Sequence, residues 1–598
     1  MPLQSSGPIS LSDIAQEFNN GSPYSLSEFY GAASGIPSSG TISMSHFYGA
    51  SNLILWIKEF RYISSGVQTH NRIKGVTSDN RGRIYIIQSA QDSMDNYSVP
   101  NVLSLTRIDS DGGIGYQYVI SLSDSSDALL PGSAIAFREP EPSVRNDLGS
   151  LWFSGGLLSS YLWRGRTLFQ QNHAFFEYDE NSTPAFPYKG TLSERSNDTA
   201  QKPSLAVGYR LVNGHLYVAG GQGDSQSNRE YLYIEDRGFL MRQNTENGSL
   251  SWMRVLDNDD LMLGPGAFVH GGQEQIFVIV REFGFSTLVK YDESGNLLFA
   301  KKFGGDSGTI GFHKASSFID ARDSGGTPYL YLSSEATGPY MGSNRNNVSV
   351  VKFDTNGTLL WSAYAENIHP QNNRFSYSQS HNEGSRLAYV SDSETRQDYM
   401  YMAVNAERTS GVWLTGEGAT ELDRIIIFRF DHNGNCDKQL AIESVAGDLH
   451  AKYVQELAIV NNGGPGEGNG TPEAIALTLN DYNSTSTLHG VVMKLPLDLW
   501  VGQTSTVIGN YRFRLLADRP SGRTDWEKYK YNWIKTSGSA GFSTNGTDNR
   551  YNEFTNLSGV KSNSSIDANH SLRDFSSTWG TPSSSTNHRS PSTDNIVP

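Results

Sequence analysis

Val289-Lys290-Tyr291-Asp292-Glu293-Ser294-Gly295-Asn296-Leu297-Leu298-Phe299 decides how this chain is read. A charged residue sits between apolar neighbours, an Asp-x-x-Gly turn follows, and a second apolar run leads away. Val351-Lys352-Phe353-Asp354-Thr355-Asn356-Gly357-Thr358-Leu359-Leu360-Trp361 repeats the pattern position by position. Looser copies place the charge at Arg107, Glu177, Arg242, Arg429 and Lys494, so seven copies follow one another at intervals of 70, 65, 48, 62, 77 and 65 residues. A hairpin recurring at a near-constant interval is the signature of sheets repeated radially around an axis, a β-propeller. Alternation along the charged strands predicts one face nearer solvent.

A second strand family alternates with the first. It comprises Ile84–Ile87, Leu151–Phe153, Leu216–Val218, Ile276–Ile279, Tyr329–Leu332, Met400–Met402 and Ala474–Leu477. These runs are continuously apolar, as expected of strands buried on both faces. Seven of each family predict seven blades over residues 52–500. Leu53–Phe60 resembles the outer strand of a blade yet has no partner before it, and Val491–Leu495 lacks a clear outer strand after it. The two are expected to pair and close the ring, which removes an open sheet edge.

The 598 residues suffice for a large core, and Gly (60) and Tyr (30) are plentiful, as in a turn-rich β protein. No apolar run approaches the length of a membrane helix, and the first residues have neither a basic start nor an apolar core, so membrane insertion and a signal peptide are not expected. The lone Cys436 leaves no intrachain disulfide framework. A net charge of −15 without clustered Lys and Arg argues against nucleic acid as a partner. Residues 501–598 form a third region. Tyr511-Arg-Phe-Arg-Leu515 alternates like a strand and Trp526 and Trp533 follow, but beyond residue 535 Ser, Asn, Thr and Gly dominate and an extended polar tail is expected.

Residues 1–51 carry a shorter repeat: Ile9-Ser-Leu-Ser-Asp-Ile14, Tyr24-Ser-Leu-Ser-Glu-Phe-Tyr-Gly31 and Ile42-Ser-Met-Ser-His-Phe-Tyr-Gly49. Ser10 precedes Asp13, and Ser25 precedes Glu28, by three residues. This is capping-box spacing, so each unit is expected to be a short helical turn, with His46 breaking the pattern in the third. A segment this short is expected to fold against the propeller or another chain. The repeat resembles the N-terminus of tailed-bacteriophage structural proteins, especially those of phages of marine bacteria and cyanobacteria. The resemblance covers the first 50 residues and implies an attachment element with an exchangeable module behind it. It implies a place in the virion, assembly in the host bacterial cytoplasm and an oligomeric state within the particle. The attachment residues it implies are Ile9, Leu11, Ile14, Tyr24, Leu26, Phe29, Tyr30, Ile42, Met44, Phe47 and Tyr48, presented to neighbouring virion proteins.

Motifs for chemistry are scarce. Turns such as Asp109-Ser-Asp-Gly-Gly113, Asp292–Gly295, Asp354–Gly357 and Asp431–Gly434 gather oxygens, but they read first as hairpin turns, with Asp109 and Asp111 the metal candidates if one exists. His369, His381 and His450 read as loop residues. No zinc spacing, nucleophile elbow or phosphate loop appears. These absences predict no cofactor, no bound metal and no enzymatic activity. Leu157–Trp163, ahead of Arg164 and Arg166, reads as an aromatic insertion suited to an interface. The expected role is a structural, tail-, baseplate- or fibre-associated protein displaying a propeller. The alternatives are a protein that binds or degrades host receptor polysaccharide, and a head decoration or head fibre.

Overall fold

The computed structural model describes residues 9–17, 25–29, 40–47, 56–64, 67–91, 102–120, 128–138, 150–163, 166–179, 188–194, 204–222, 237–245, 250–255, 261–282, 285–304, 311–337, 347–366, 373–375, 385–392, 397–408, 424–444, 452–462, 471–482, 488–499, 505–508, 511–518, 530–537, 570–574, 583–584 and 588–589. The protein is all-β with a propeller arrangement. Four-strand antiparallel meanders follow one another along the chain. One runs through Leu261–His270, Gln273–Glu282, Phe285–Asp292 and Leu297–Gly304. The next runs through Gly311–Arg322, Pro328–Thr337, Asn347–Phe353 and Leu359–Glu366. The expected closure is present: Trp56–Ser64 pairs antiparallel with Leu488–Pro496, in the register Trp56↔Lys494 to Phe60↔Gly490.

Hydrogen bonding groups the described strands into six sheets, not the seven expected. The count falls because Trp56–Ser64 also pairs with Val67–Ser78 through Tyr62↔Thr69, Ile63↔Gln68 and Ser64↔Val67. That ladder fuses the closing meander and the first one into a single ten-stranded sheet.

The second strands are deeply buried. Ile84–Ile87, Ile276–Val280 and Leu330–Leu332 are fully buried, as continuously apolar runs require. Core clusters lie between neighbouring sheets. Leu288 and Phe277 pack with Leu330 and Val351, while Tyr331 and Val350 pack with Met402 and Phe428.

The charged family departs from expectation. Lys352, Arg429 and Lys494 do not face solvent but are buried between sheets. Each reaches a carbonyl of the next meander's turn, and Arg429 and Lys494 also pair with carboxylates of their own meanders, Asp437 and Glu473. Lys290 Nζ donates to Thr355 O (3.1 Å), Lys352 Nζ to His432 O (3.3 Å), Arg429 Nη1 to Leu497 O (3.4 Å) and Lys494 Nζ to Ser110 O (3.3 Å). At two joints a fourth-strand indole adds a bond to the neighbouring turn. Trp252 Nε1 donates to Glu293 O (2.9 Å) and Trp361 Nε1 to His432 O (3.1 Å). The indole lies against the turn glycine so closely that a Cβ on Gly434 would come within 2.7 Å of Trp361. Gly434 also has φ +86°, which disfavours any other residue. The Lys-x-Asp-x-x-Gly-x-x-x-Trp signature is therefore a lock between consecutive sheets.

Two segments of the third region add edge strands. Tyr511–Leu515 pairs with Cys436–Ser444, and Asn532–Ser537 with Leu359–Glu366. Trp533 packs edge-on to Phe428 and Phe430, with ring centroids 4.9 and 4.7 Å apart.

Candidate functional site

The first strand of each meander lines one central cavity of about 450 Å³. These inner strands are irregular. The pairing register shifts at Ile73/Gly75, Ala206/Gly208, Leu263/Gly266, Ala315/Ser317 and Val454/Glu456. A β-bulge twists a strand and re-aims its side chains, a device common beside binding sites. The backbone it frees still needs partners. Asn480 supplies them from the adjacent meander: its Oδ1 accepts from Ile73 N (2.9 Å) and its Nδ2 donates to Ile73 O (3.3 Å). Asn405 Oδ1 accepts from Val454 N in the same way (2.9 Å).

The cavity wall carries charge in opposed pairs. Arg210 Nη2 meets Asp320 Oδ2 at 2.7 Å, and Arg210 Nε donates to Ala267 O at 3.3 Å. Arg210 remains 46% exposed, so its guanidinium is accessible to a ligand. Elsewhere on the wall, Arg386 Nε donates to Gln455 O (2.6 Å) and lies 3.6 Å from Glu456 Oε2. Desolvation within the cavity raises the Glu456 carboxyl above its usual range, and Arg386 and the Leu457 amide pull it back. Tyr209 and Tyr389 add aromatic surface. Guanidinium donors, carboxylate acceptors and aromatic rings around a partly open cavity suit a polar, hydroxyl-bearing ligand.

A second cluster lies between two sheets. Ligand atoms of Asp323, Asp398 and His432 come within 4.8 Å of one another. Their lone pairs are engaged, however. Asp323 Oδ1 accepts from Gly325 N (2.9 Å) and Thr327 N (2.8 Å), and Asp398 accepts from Ser324 N (2.9 Å) and Ser324 Oγ (3.1 Å). The local cation is Lys352, whose Nζ lies 3.0 Å from His432 Nε2 and 3.7 Å from the Tyr329 ring centroid. Burial pushes the Lys352 ammonium down to about 8, against the pull of Asp323, Asp398 and Asp431. The His432 imidazole is lowered by burial and then by Lys352. These residues belong to the lock.

The same geometry accounts for the Asp-rich turns. Asp292 Oδ1 accepts from Ser294 N (2.9 Å) and Asn296 N (2.7 Å), and Asp354 Oδ1 from Asn356 N (2.9 Å) and Thr358 N (2.7 Å). Asp111 Oδ1 accepts from Gly113 N (2.8 Å), and Asp109 pairs with Arg107 at 3.0 Å. The carboxylates shape the turns. His369, His381 and His450 lie outside the described residues. Leu157–Trp163 is not a loop insertion. It continues the strand Ser150–Trp163, paired with Arg166–Asp179 from Ser150↔Asp179 to Trp163↔Arg166. Arg164 lies outside the described residues.

The N-terminal residues come together, but with each other. Ile14, Phe29 and Phe47 are fully buried in one cluster with Ala15, and Ile9, Leu11, Leu26, Ile42 and Met44 pack against it. Phe29 and Phe47 meet edge to face at 5.9 Å. Tyr24, Tyr30 and Tyr48 lie outside the described residues. The first capping box is complete: Asp13 N donates to Ser10 Oγ (3.1 Å), and Ser10 N donates to Asp13 Oδ2 (2.8 Å). Ser10 Oγ, donating to Asp13 Oδ2 at 2.6 Å, and then Ser10 N hold the Asp13 carboxyl below its usual range. In the third unit His46 Nδ1 takes the carboxylate's place, accepting from Ser43 N at 3.0 Å.

No family model matches the sequence, and no curated protein matches it. Solved structures do. The NanB sialidase of Streptococcus pneumoniae is similar over 72% of this chain and 69% of its own, with 10% identity and a TM-score of 0.35. A leech intramolecular trans-sialidase is similar over 78% and 74%, with 10% identity and a TM-score of 0.34. An α-L-arabinanase of Penicillium chrysogenum is similar over 62% and 96%, with 12% identity and a TM-score of 0.28. These are enzymes, and that corrects the expectation of a chain without enzymatic activity. Missing linear motifs do not exclude catalysis when the inner strands of such a ring can bring distant carboxylates together. At this level of similarity the likeness assigns no substrate and no residue role.

Proposed function

We propose that this protein binds a hydroxyl-rich ligand of saccharide type in its central cavity. The observation that carries the reading is the charged wall, where Arg210–Asp320 and Arg386–Glu456 line one partly open cavity of about 450 Å³, within the usual range for small-ligand sites. Host-surface polysaccharide is the ligand class that also suits the N-terminal resemblance to phage virion proteins. In this reading the ring has seven four-strand blades, with the ten-stranded sheet holding two of them, and residues 1–51 tether it to a larger particle.

Calorimetric titration of the full chain with oligosaccharides from bacterial envelopes tests the binding. Saturable binding is expected, weakened tenfold or more by Arg210→Gln and by Glu456→Gln. No heat at millimolar ligand, or variants that bind as wild type, would remove the cavity from the account. Chain length measured in the same mixtures separates binding from degradation. Deletion of residues 1–50 is expected to leave a folded ring that does not join particles.

A further inference from the structure

Glu456 faces the cavity because its strand, Lys452–Asn462, carries one extra residue. Val454 pairs with Leu479 and Glu456 with Thr478, so Gln455 is the added residue of a bulge. Residues opposed across a ladder share a face, and consecutive residues of one strand do not. Val454 and Glu456 therefore point to opposite faces, whereas a regular strand would turn them the same way. Val454 is fully buried in the core between sheets, and Glu456 lines the cavity. Without the bulge the carboxylate would be carried round to the face of Val454.

Three side chains hold this bulge. Asn405 Oδ1 accepts from Val454 N (2.9 Å), Arg386 Nε donates to Gln455 O (2.6 Å) and Thr478 Oγ1 donates to Glu456 O (3.3 Å). Arg386 itself lines the cavity, and Thr478 belongs to the same meander as Glu456. Asn405 reaches across from the preceding meander, is 4% exposed and is not among the residues that line the cavity. Its Nδ2 is buried with no hydrogen-bond partner, so the amide serves here as an acceptor for Val454. A half-satisfied buried amide costs stability, and such exceptions to local rules mark sites whose geometry matters.

The next meander holds a matched contrast. Asn405 and Asn480 each stand four residues after the second-strand residue opposite a lock cation, Tyr401↔Arg429 and Ala476↔Lys494. Asn480 holds Ile73 at the Ile73/Gly75 bulge as Asn405 holds Val454, but there the residue aligned with Glu456 is Gly75. The two devices are alike, and one of them has a carboxylate to aim.

We propose that Asn405 is a positioning residue, fixing the bulge that presents the Glu456 carboxylate to the cavity and its ligand. The ligand part rests on the saccharide reading above, and the placement of the carboxylate does not.

Full-length chains carrying Asn405→Leu, Glu456→Gln, both changes, or Asn480→Leu test this. In calorimetry with the envelope oligosaccharides, Asn405→Leu should weaken binding about tenfold. The double variant should bind within about twofold of Glu456→Gln alone, because Asn405 acts through Glu456. Asn480→Leu, which breaks the equivalent contact, should stay within about twofold of wild type. The second measurement needs no ligand: carbon-13 NMR of glutamate-labelled chains, with the Glu456 signal identified by its loss in Glu456→Gln. Desolvation first of all holds this carboxyl above its usual range, so its titration should fall toward that range in Asn405→Leu and stay in place in Asn480→Leu. An unchanged Glu456 titration in Asn405→Leu, or affinity losses that add with Glu456→Gln, overturns the assignment. Absence of binding by wild type removes the saccharide reading, and the titration then decides the role of Asn405 by itself. If Asn405→Leu does not fold, Asn405→Ser, whose hydroxyl stops short of Val454 N, replaces it in both measurements.

Discussion

The ring and the N-terminal segment are both built from short repeats, but they use repetition in opposite ways. In the ring each repeat grips the next one: Trp361 and Lys352 belong to one sheet and close on the turn at His432 of its neighbour. In the N-terminal segment the three repeats turn inward on a shared centre of Ile14, Ala15, Phe29 and Phe47. A grip between neighbours can be extended and closed into a ring, so damage at one joint is felt by the whole. A shared centre has a fixed number of members, and damage to it stays local.

The sharpest way to break this contrast is at a joint. Trp361→Ala removes a buried indole from the turn at Gly434 and its bond to His432 O, and should cost about 3–5 kcal/mol of ring stability. Denaturant unfolding followed on the ring should show it, with the N-terminal segment unaffected. A loss confined to one sheet would contradict joint-to-joint coupling.

A second test uses protons. Lys352 is held at about 8 by burial, below its ordinary value of 10.5. The unfolded chain therefore keeps a proton that the folded chain sheds across that window. The burden of the buried ammonium is full below pH 8 and fades as pH rises toward 10.5. Wild type should gain stability relative to Lys352→Met between pH 8 and 10, measured by paired denaturation midpoints. A constant difference between the two would show that Lys352 does not titrate there.

The smallest effect belongs to the N-terminal segment. His46→Ala removes the acceptor for Ser43 N and should cost about 0.5–1 kcal/mol of the segment's own stability, leaving the ring unchanged. His46→Glu should restore it, because a carboxylate completes the capping box as Asp13 does around Ser10.

Much of this architecture could be read in the sequence, because its contacts recur at fixed spacing. The lysine, aspartate, glycine and aromatic residue of the lock keep the same spacing in the two clearest copies, Lys290–Phe299 and Lys352–Trp361, and the capping serines keep theirs. The closure of Trp56–Phe60 on Gly490–Lys494 was legible because one repeat lacked its fourth strand and another had one to spare. The direction of the charged side chains was not legible, since alternation along a strand does not say whether the second face meets water or another sheet. The cavity was hidden for a different reason. Arg210, Asp320, Arg386 and Glu456 lie on four inner strands far apart in the chain and share no motif, and the bulges on the strands of Arg210, Asp320 and Glu456 are set by pairing register rather than by residue type. His432 was hidden inside a turn whose Asp and Gly alone suggested its role.

The joining of first strand to last also fixes how the protein carries load. Tension applied at the N-terminus reaches the ring at Trp56, the first residue paired with Leu488–Pro496. Because the two strands lie antiparallel over consecutive pairs, a pull along the strand shears those bonds together instead of peeling them one by one. A tether at this end would thus hand mechanical force to the seam of the ring, and a pull aligned with Trp56–Phe60 would load all five pairs at once.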